Sequence, residues 1–286
     1  MGNLLILAAG MSSRMKKQTE LNDLDAQLTA QANAMPKGMI GVGRNGRPFL
    51  DYQIYNAAKG GFKNIVILIN PKDTVTKPYY EKLVVENKAW GLTIQFAIQT
   101  IPANREKPLG TADAVKQALE QHPEWTGQRF TACNADNLYS ANVFNLMLNA
   151  PKPEALISYD SVGLGFDYDK VKNCAALVTD SENYLEEIIE KPTDEEITRI
   201  EKQTGRLGIS MNIFSFQYET AWHYMEIQPL HTTRNEKEMP SAMGVIAKEN
   251  PKTVIAIPVN EFMPDMTSKA DLNLVKTYLE ENFSEL

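Results

Sequence analysis

Four short apolar runs, three of them followed directly by Gly or Asn, organise the first half of the chain, at residues 4–9, 64–69, 93–98 and 129–133. Runs of this length, bounded by Gly, Pro, Asn or Asp, read as strands buried on both faces. Between them lie helical candidates at 49–60, 79–87, 112–121 and 141–149; in the third, Ala114, Val115, Ala118 and Leu119 fall on one side at helical spacing. Strands alternating with helices build an α/β fold, a mostly parallel, mixed central sheet with helices on both faces. The second half is less regular. Its strand candidates are 154–159, 175–179, 208–216 and 253–258, followed by a closing helix over 269–282. No repeat or linker separates the halves, so a single domain over 1–286 is expected, with the second half elaborating the same sheet.

Bulk properties narrow the function classes. A formal charge of -7 argues against a broad nucleic-acid surface, which rests on many Lys and Arg contacts to phosphates. Cys133 and Cys174 are too few for a disulfide framework and lack zinc-site spacing, as befits a reducing compartment. The apolar run at 4–9 is far shorter than a membrane span and has no basic segment before it. A cytoplasmic protein with no membrane partner is the expectation.

In open α/β sheets, ligands sit beyond the C-terminal ends of the strands, and the chemically distinctive residues fall there. The first run enters Gly10-Met11-Ser12-Ser13-Arg14, a small-residue turn whose backbone N–H groups can approach phosphate oxygens, with an arginine to add a forked contact. It matches neither standard glycine-rich phosphate fingerprint, so alone it reads equally as a tight turn. A lysine, Lys37, follows Pro36. The strand at 129–133 leads to Asp136, which alone reads as a turn former. Thr111 alone reads as a helix N-cap, and Asp113 as first-turn helix stabilisation. His122, His223 and His231 have no metal-like spacing and read as surface or packing residues.

Taken together, the strings change this weighing. LAAGMSSRM with Pro36-Lys37, and the continuation through Pro48-Phe49-Leu50, resemble the opening signature of the nucleotidyltransferase superfamily that includes the sugar-phosphate nucleotidylyltransferases. PLGTADA at 108–114 is similar to that family's GTA segment, residues 261–272 to its segment with two spaced aspartates, Glu190-Lys191-Pro192 to its EKP segment, and 208–216 to the strand that follows. The resemblance implies a Rossmann-like nucleotidyltransferase fold with a nucleotide-binding half, 1–150, and an acceptor-binding half, 151–286.

It also implies roles. Leu7, Ala8, Ala9, Gly10, Met11, Ser12, Ser13, Gln99, Gly110 and Thr111 would hold the nucleotide, with Gln99 on the base edge. Arg14 and Lys37 would offset charge on the triphosphate and the leaving pyrophosphate. Asp136 and Asp265 would hold Mg2+ or another divalent cation. Glu190, Lys191 and Asn212 would bind the acceptor, and Asp271 would support the closing helix. The substrates implied are a nucleoside triphosphate and a sugar 1-phosphate, the products a nucleoside-diphosphate sugar and pyrophosphate. Subunit number is left open, a homo-oligomer included.

The sequence departs from the family pattern in four places. Met15-Lys16-Lys17-Gln18 stands where a proline and threonine are usual, and the segment to Pro36 is longer, a candidate lid or short helix over the site. Ala135 and Ala175 replace glycines, and Met263 and Thr267 replace an aromatic residue and a glycine. Two other readings stay open: a cytidylyltransferase for phosphocholine or another phosphorylated alcohol, and a nucleotide-binding regulatory subunit without catalysis. Glu236 and Glu238 read as structural.

Overall fold

A computed structural model of the chain describes residues 2–12, 14–16, 26–231 and 234–286. Among them ten strands form one mixed sheet. Strands β1 (Asn3–Leu7), β2 (Asn64–Ile69), β3 (Thr93–Ile98) and β4 (Arg129–Asn134) pair in parallel in the order β3-β2-β1-β4. The remaining strands are β5 (Ala155–Asp160), β6 (Ala175–Thr179), β7 (Leu185–Glu190), β8 (Gly208–Ser210), β9 (Ile213–Gln217) and β10 (Ile255–Val259). β9 runs antiparallel between β4 and β5 and so ties the two halves of the chain into one sheet. β10 lies parallel to β5, whereas β8 pairs antiparallel with β5 and β6, and β7 closes antiparallel on β6. Seven strands, β1 to β6 and β10, thus point one way and three, β7 to β9, the other.

The alternation of side chains across a strand sorts the core. In β1, Leu4 and Ile6 enter one apolar cluster and Leu5 the other; in β2, Ile65 and Ile67 oppose Val66 and Leu68 in the same way. Helices α2 (Phe49–Lys59) and α5 (Ala141–Leu148) cover the first face through Leu50, Ile54, Val143 and Phe144. On the second, α4 (Thr111–Gln121) brings the apolar side expected of it, Val115, Ala118 and Leu119. It packs there beside α8 (Tyr218–Ile227) and α9 (Met239–Glu249). Burying such Leu, Ile, Val and Phe side chains contributes about 1.5–3 kcal/mol each before chain entropy is counted.

Among the described residues five more α-helices are present: α1 (Ala26–Ala34), α3 (Thr76–Val85), α6 (Tyr168–Lys172), α7 (Asp194–Thr204) and the last, α10 (Leu272–Asn282). α7 starts with a capping box between Thr193 and Glu196 and ends at Gly205, whose φ of 75° suits a residue without Cβ. A third apolar cluster joins Met15, Leu28 and Ala32 to Phe49, Val275 and Leu279, so α1 is anchored toward α10. None of its residues lines either of the clefts described below. Of the expected lid segment, residues 17–25 lie outside the described residues.

The strand expected over 208–216 is interrupted. Asn212, at φ 57°, adopts the left-handed conformation that asparagine tolerates better than most residues, and the break separates β8 from β9. The closing helix likewise begins with one tight turn, Lys269–Asp271, before the α-helical part. Among the described residues no helix is long and apolar enough to cross a membrane.

Candidate active site

Register alone gathers the first group of residues. Leu7 lies opposite both Leu68 and Asn134, so the loops leaving β1 and β4 start side by side at the C-terminal edge of the parallel strands. Ala8 N–H donates to the Leu68 carbonyl at 2.9 Å, Gln99 N–H to Ile69 at 2.9 Å, and Ala135 N–H to Leu7 at 3.3 Å. A cleft of about 380 Å³ opens there, lined by 7–12, Arg14, Lys37, Gln99, Gly110, Thr111 and Asp136. It therefore collects the residues expected to hold a nucleotide, apart from Ser13, which lies outside the described residues. Its lining includes the small residues Ala8, Ala9, Gly10 and Ala114, and Gln99 is 4% exposed with its amide 3.5 Å from the Gly110 carbonyl.

Gly110 is required by its surroundings. Its φ is 116°, and a Cβ there would stand 2.2 Å from the Lys237 carbonyl oxygen. Ala112 N–H donates to that carbonyl at 3.0 Å, and Met239 N–H donates to the Thr111 hydroxyl at 2.9 Å. Segment 237–239 is thus laid against the start of α4. Gly110, not Thr111, occupies the N-cap position; the Thr111 side chain instead fastens the crossing segment. Asp113 sits in the first turn of α4, where a negative charge favours the helix dipole.

Two residues 129 positions apart, Asp136 and Asp265, meet because their backbones pair. Met266 N–H donates to the Asp136 carbonyl at 2.8 Å, Leu138 N–H donates to Pro264 at 2.9 Å, and Asn137 bridges Asp265. Asp136 Oδ2 accepts from Lys37 Nζ at 2.9 Å. Asp265 is nearly buried, with Asn137 Nδ2 3.2 Å from Oδ1, Thr267 Oγ1 at 2.9 and 3.0 Å from its two oxygens, and Lys170 Nζ 3.1 Å from Oδ2. Burial, and next the charge of Asp136, raise the Asp265 carboxyl above its ordinary range, while Lys170 pulls it back. A buried carboxylate with a second carboxylate's charge beside it is a donor set that a hard divalent cation suits, since Mg2+ takes one or two carboxylates plus phosphate oxygens. Among the described residues no group of three or more His, Cys, Asp or Glu is gathered for a metal, so the remaining ligands would come from substrate or water.

A second cleft, of about 720 Å³, adjoins the first; Arg14, Thr111, Asn134, Asp136 and Glu238 line both. Glu190, Lys191, Asn212 and Asp265 lie on it, so the structure brings the expected acceptor residues to the same place as the expected metal carboxylates. Lys191 follows β7 in the left-handed conformation, φ 51°. Asn212 is fixed through its backbone, since Tyr139 Oη donates to the Met211 carbonyl at 2.6 Å and lies 3.2 Å from that of Asn212. Asp271 accepts from Ser268 N–H at 2.6 Å in a capping box, the supporting role expected of it.

Two charged residues of this cleft, Lys170 and Arg234, carry no sequence signal that marked them. Lys170 arrives on the short helix α6. Arg234 Nη2 joins Glu190 Oε2 at 3.3 Å and Glu238 Oε2 at 2.8 Å, and Glu238, read as structural from the sequence, stands at the junction of the clefts. Burial, countered by Arg234 but reinforced by Glu190 and Glu236, raises the Glu238 carboxyl. Cys174 also lines this cleft, but burial and the charge of Asp265 push its thiol up to about 11, so it is not a thiolate nucleophile near neutrality. His122 is buried, its ring nitrogens 2.8 Å from Glu124 and 3.3 Å from the Phe96 carbonyl, a packing arrangement.

The model of the nucleotidyl transferase family matches residues 27–254. The chain belongs to that family. A curated relative is the D-glycero-alpha-D-manno-heptose 1-phosphate guanylyltransferase of Campylobacter jejuni subsp. jejuni serotype O:2 (strain ATCC 700819 / NCTC 11168), 24% identical over 148 residues, 52% of this chain and 53% of the relative. That match spans about half the length of the curated relative. Among solved structures, a UDP-glucose pyrophosphorylase complexed with UDP-glucose superposes with a TM-score of 0.69 over 98% of this chain and 99% of its own, at 14% identity. The UDP-glucose pyrophosphorylase from Acinetobacter baumanii gives 0.67 over 99% and 95%, at 15% identity. These likenesses establish a shared fold, and the nucleotidyl transferase core runs through both halves of the sheet.

Proposed function

We propose that this nucleotidyl transferase joins a nucleoside triphosphate to a sugar 1-phosphate, giving a nucleoside-diphosphate sugar and pyrophosphate. The observation that carries the reading is the common wall of the two clefts: a triphosphate in the smaller and an acceptor in the larger would meet at Arg14 and Asp136. A phosphate monoester is already anionic at neutral pH, so no protein nucleophile is needed. An acceptor phosphate oxygen attacks the α-phosphorus, the bond to the β-phosphate oxygen breaks, and pyrophosphate leaves with that electron pair. The protein's task is to hold two repelling anions in line and to stabilise the charge that develops.

In this reading the backbone of 8–12 cradles the triphosphate, Gln99 addresses the base, and Arg14 and Lys37 balance the polyphosphate. Lys191 holds the acceptor phosphate, while Glu190, oriented by Arg234, and Asn212 take sugar hydroxyls. Asp136 and Asp265 would hold a divalent cation, which when bound supplies charge neutralisation at the reacting phosphate.

The relatives support the acceptor class, since one is named for a heptose 1-phosphate and others for UDP-glucose. A phosphocholine acceptor is less well served: quaternary ammonium groups are recognised by aromatic cages, and no aromatic side chain among the described residues lines the acceptor cleft. The two carboxylates proposed to hold the cation, Asp136 and Asp265, line one cleft, which favours catalysis over a purely regulatory role. Free thiols and the triphosphate substrate fit the cytoplasm. The test is pyrophosphate release with each triphosphate against a panel of sugar 1-phosphates and phosphocholine. Release with a sugar 1-phosphate is expected; binding of triphosphate without release from any acceptor would refute the reading.

A further inference from the structure

Lys170 is a charged group at the acceptor cleft for which the proposed chemistry has no use, yet it holds one of the two metal carboxylates. Its Nζ lies 3.1 Å from Asp265 Oδ2, 3.8 Å from Asp271 Oδ1 and 4.1 Å from the centre of the Phe166 ring. We propose that Lys170 is a tethered cation that holds Asp265 while no metal is bound and passes to Asp271 when a divalent cation arrives. The inference rests on the reading that Asp136 and Asp265 are the metal carboxylates.

The geometry provides both resting places. Asp265 Oδ1 faces Asn137 Nδ2 and Thr267 Oγ1, while Oδ2 faces the same Thr267 hydroxyl and Lys170 Nζ, so Lys170 is the charged donor on this carboxylate and sits on Oδ2 alone. An ammonium and a divalent cation on one carboxylate oxygen repel each other, so one must yield. Asp271 is held in place, its Oδ2 accepting from Ser268 N–H at 2.6 Å and Ser268 Oγ at 3.0 Å, while Oδ1 faces Lys170. The Lys170 backbone is also fixed, its N–H donating to Asp167 Oδ1 at 2.7 Å. Only the flexible four-carbon side chain has to turn, and the Phe166 face favours the ammonium nearby. Asp265 would thereby avoid standing unpaired in the substrate-free enzyme, at the expense of weaker metal binding.

The sign of one substitution separates this device from a strut that merely orients Asp265. Mn2+ binding to the full chain without nucleotide or acceptor, read as loss of the free Mn2+ signal in electron paramagnetic resonance, should be about fivefold tighter in Lys170→Gln than in the unmodified protein. Lys170→Arg, which keeps the charge, should bind as the unmodified protein does, and Asp265→Asn should abolish binding with or without Lys170→Gln. Asp271→Asn should bind more weakly, because the displaced ammonium loses its second partner. Unchanged or weaker binding in Lys170→Gln, with Asp265→Asn still abolishing it, would overturn the inference and leave the metal reading standing. So would tightening in Lys170→Arg. Mn2+ binding indifferent to Asp265→Asn, or absent from both the unmodified protein and Lys170→Gln, would remove the metal reading and this inference with it.

Discussion

The two clefts are built by different means. Around the smaller, parallel strands in uninterrupted register deliver backbone, and the residues that matter are small: Ala8, Ala9, Gly10, Gly110 and Ala114. Around the larger, long charged side chains come from the end of β7, from α6 and from irregular chain, and Arg234 ties Glu190 to Glu238. A site made of backbone presents the same N–H groups to any triphosphate. One made of paired side chains can be retuned by single substitutions. The shared wall at Asp136 is where the two designs must agree, and changes there should have the largest consequence. Asp136→Ala and Asp265→Ala are each expected to lower kcat by on the order of 10²–10³ at saturating magnesium, as when a major transition-state contact is lost. Pyrophosphate release measures it, and a near-normal rate in either variant would break the assignment.

Next comes the backbone-built side. Gly110→Ala places a Cβ 2.2 Å from the Lys237 carbonyl at a φ of 116°. Strain of about 1–3 kcal/mol is expected in the melting curve. The KM for triphosphate should rise at least about tenfold, the equivalent of about 1.4 kcal/mol. Met11→Ala, which removes a side chain 46% exposed but spares the backbone, should change it little. Equal losses in the two variants would mean that side chains, not main chain, recognise the nucleotide.

The same division explains what was legible in the sequence. β2 runs buried over the residues its apolar pattern marks, and α4 presents the face its spacing predicts, because local periodicity and the sheet demand the same thing there; β3 keeps the expected bounds but, as an edge strand, is not buried on both faces. Asp136 and Asp265 stood out through motifs, although the pairing of 136–138 with 264–266 that unites them is a long-range contact. Arg234 had no such marker. It lies in irregular chain 44 residues beyond Glu190, and an ion pair at that separation leaves no periodic trace. Glu238 reads as structural in the sequence for a related reason, since the crossing of 237–239 against the start of α4 that brings it to both clefts is a long-range contact. The break at Asn212 was hidden because the flanking residues are apolar on both sides.

On the side-chain-built side, Arg234→Ala is expected to raise the KM for the acceptor about tenfold, the scale of a lost charge-assisted hydrogen bond, and to leave the KM for triphosphate within about twofold. A shift confined to triphosphate would reverse the assignment of the clefts.

The smallest effect sharpens the same contrast through pH. Glu238 has its carboxyl raised by burial in the folded protein, so folding disfavours its ionised form. A carboxyl raised on folding contributes stability below its unfolded value and loses that contribution as pH climbs through the folded one. Glu238→Gln removes the titration, so its melting temperature should exceed that of the unmodified protein at pH 7 by about 2 °C, with the gain shrinking as pH falls toward 4. Gln keeps an oxygen for Arg234 but not the charge, so acceptor affinity should weaken slightly while stability improves. A melting difference that stays constant with pH would mean that Glu238 acts through packing rather than through its charge, and the network around Arg234 would then be held by Glu190 alone.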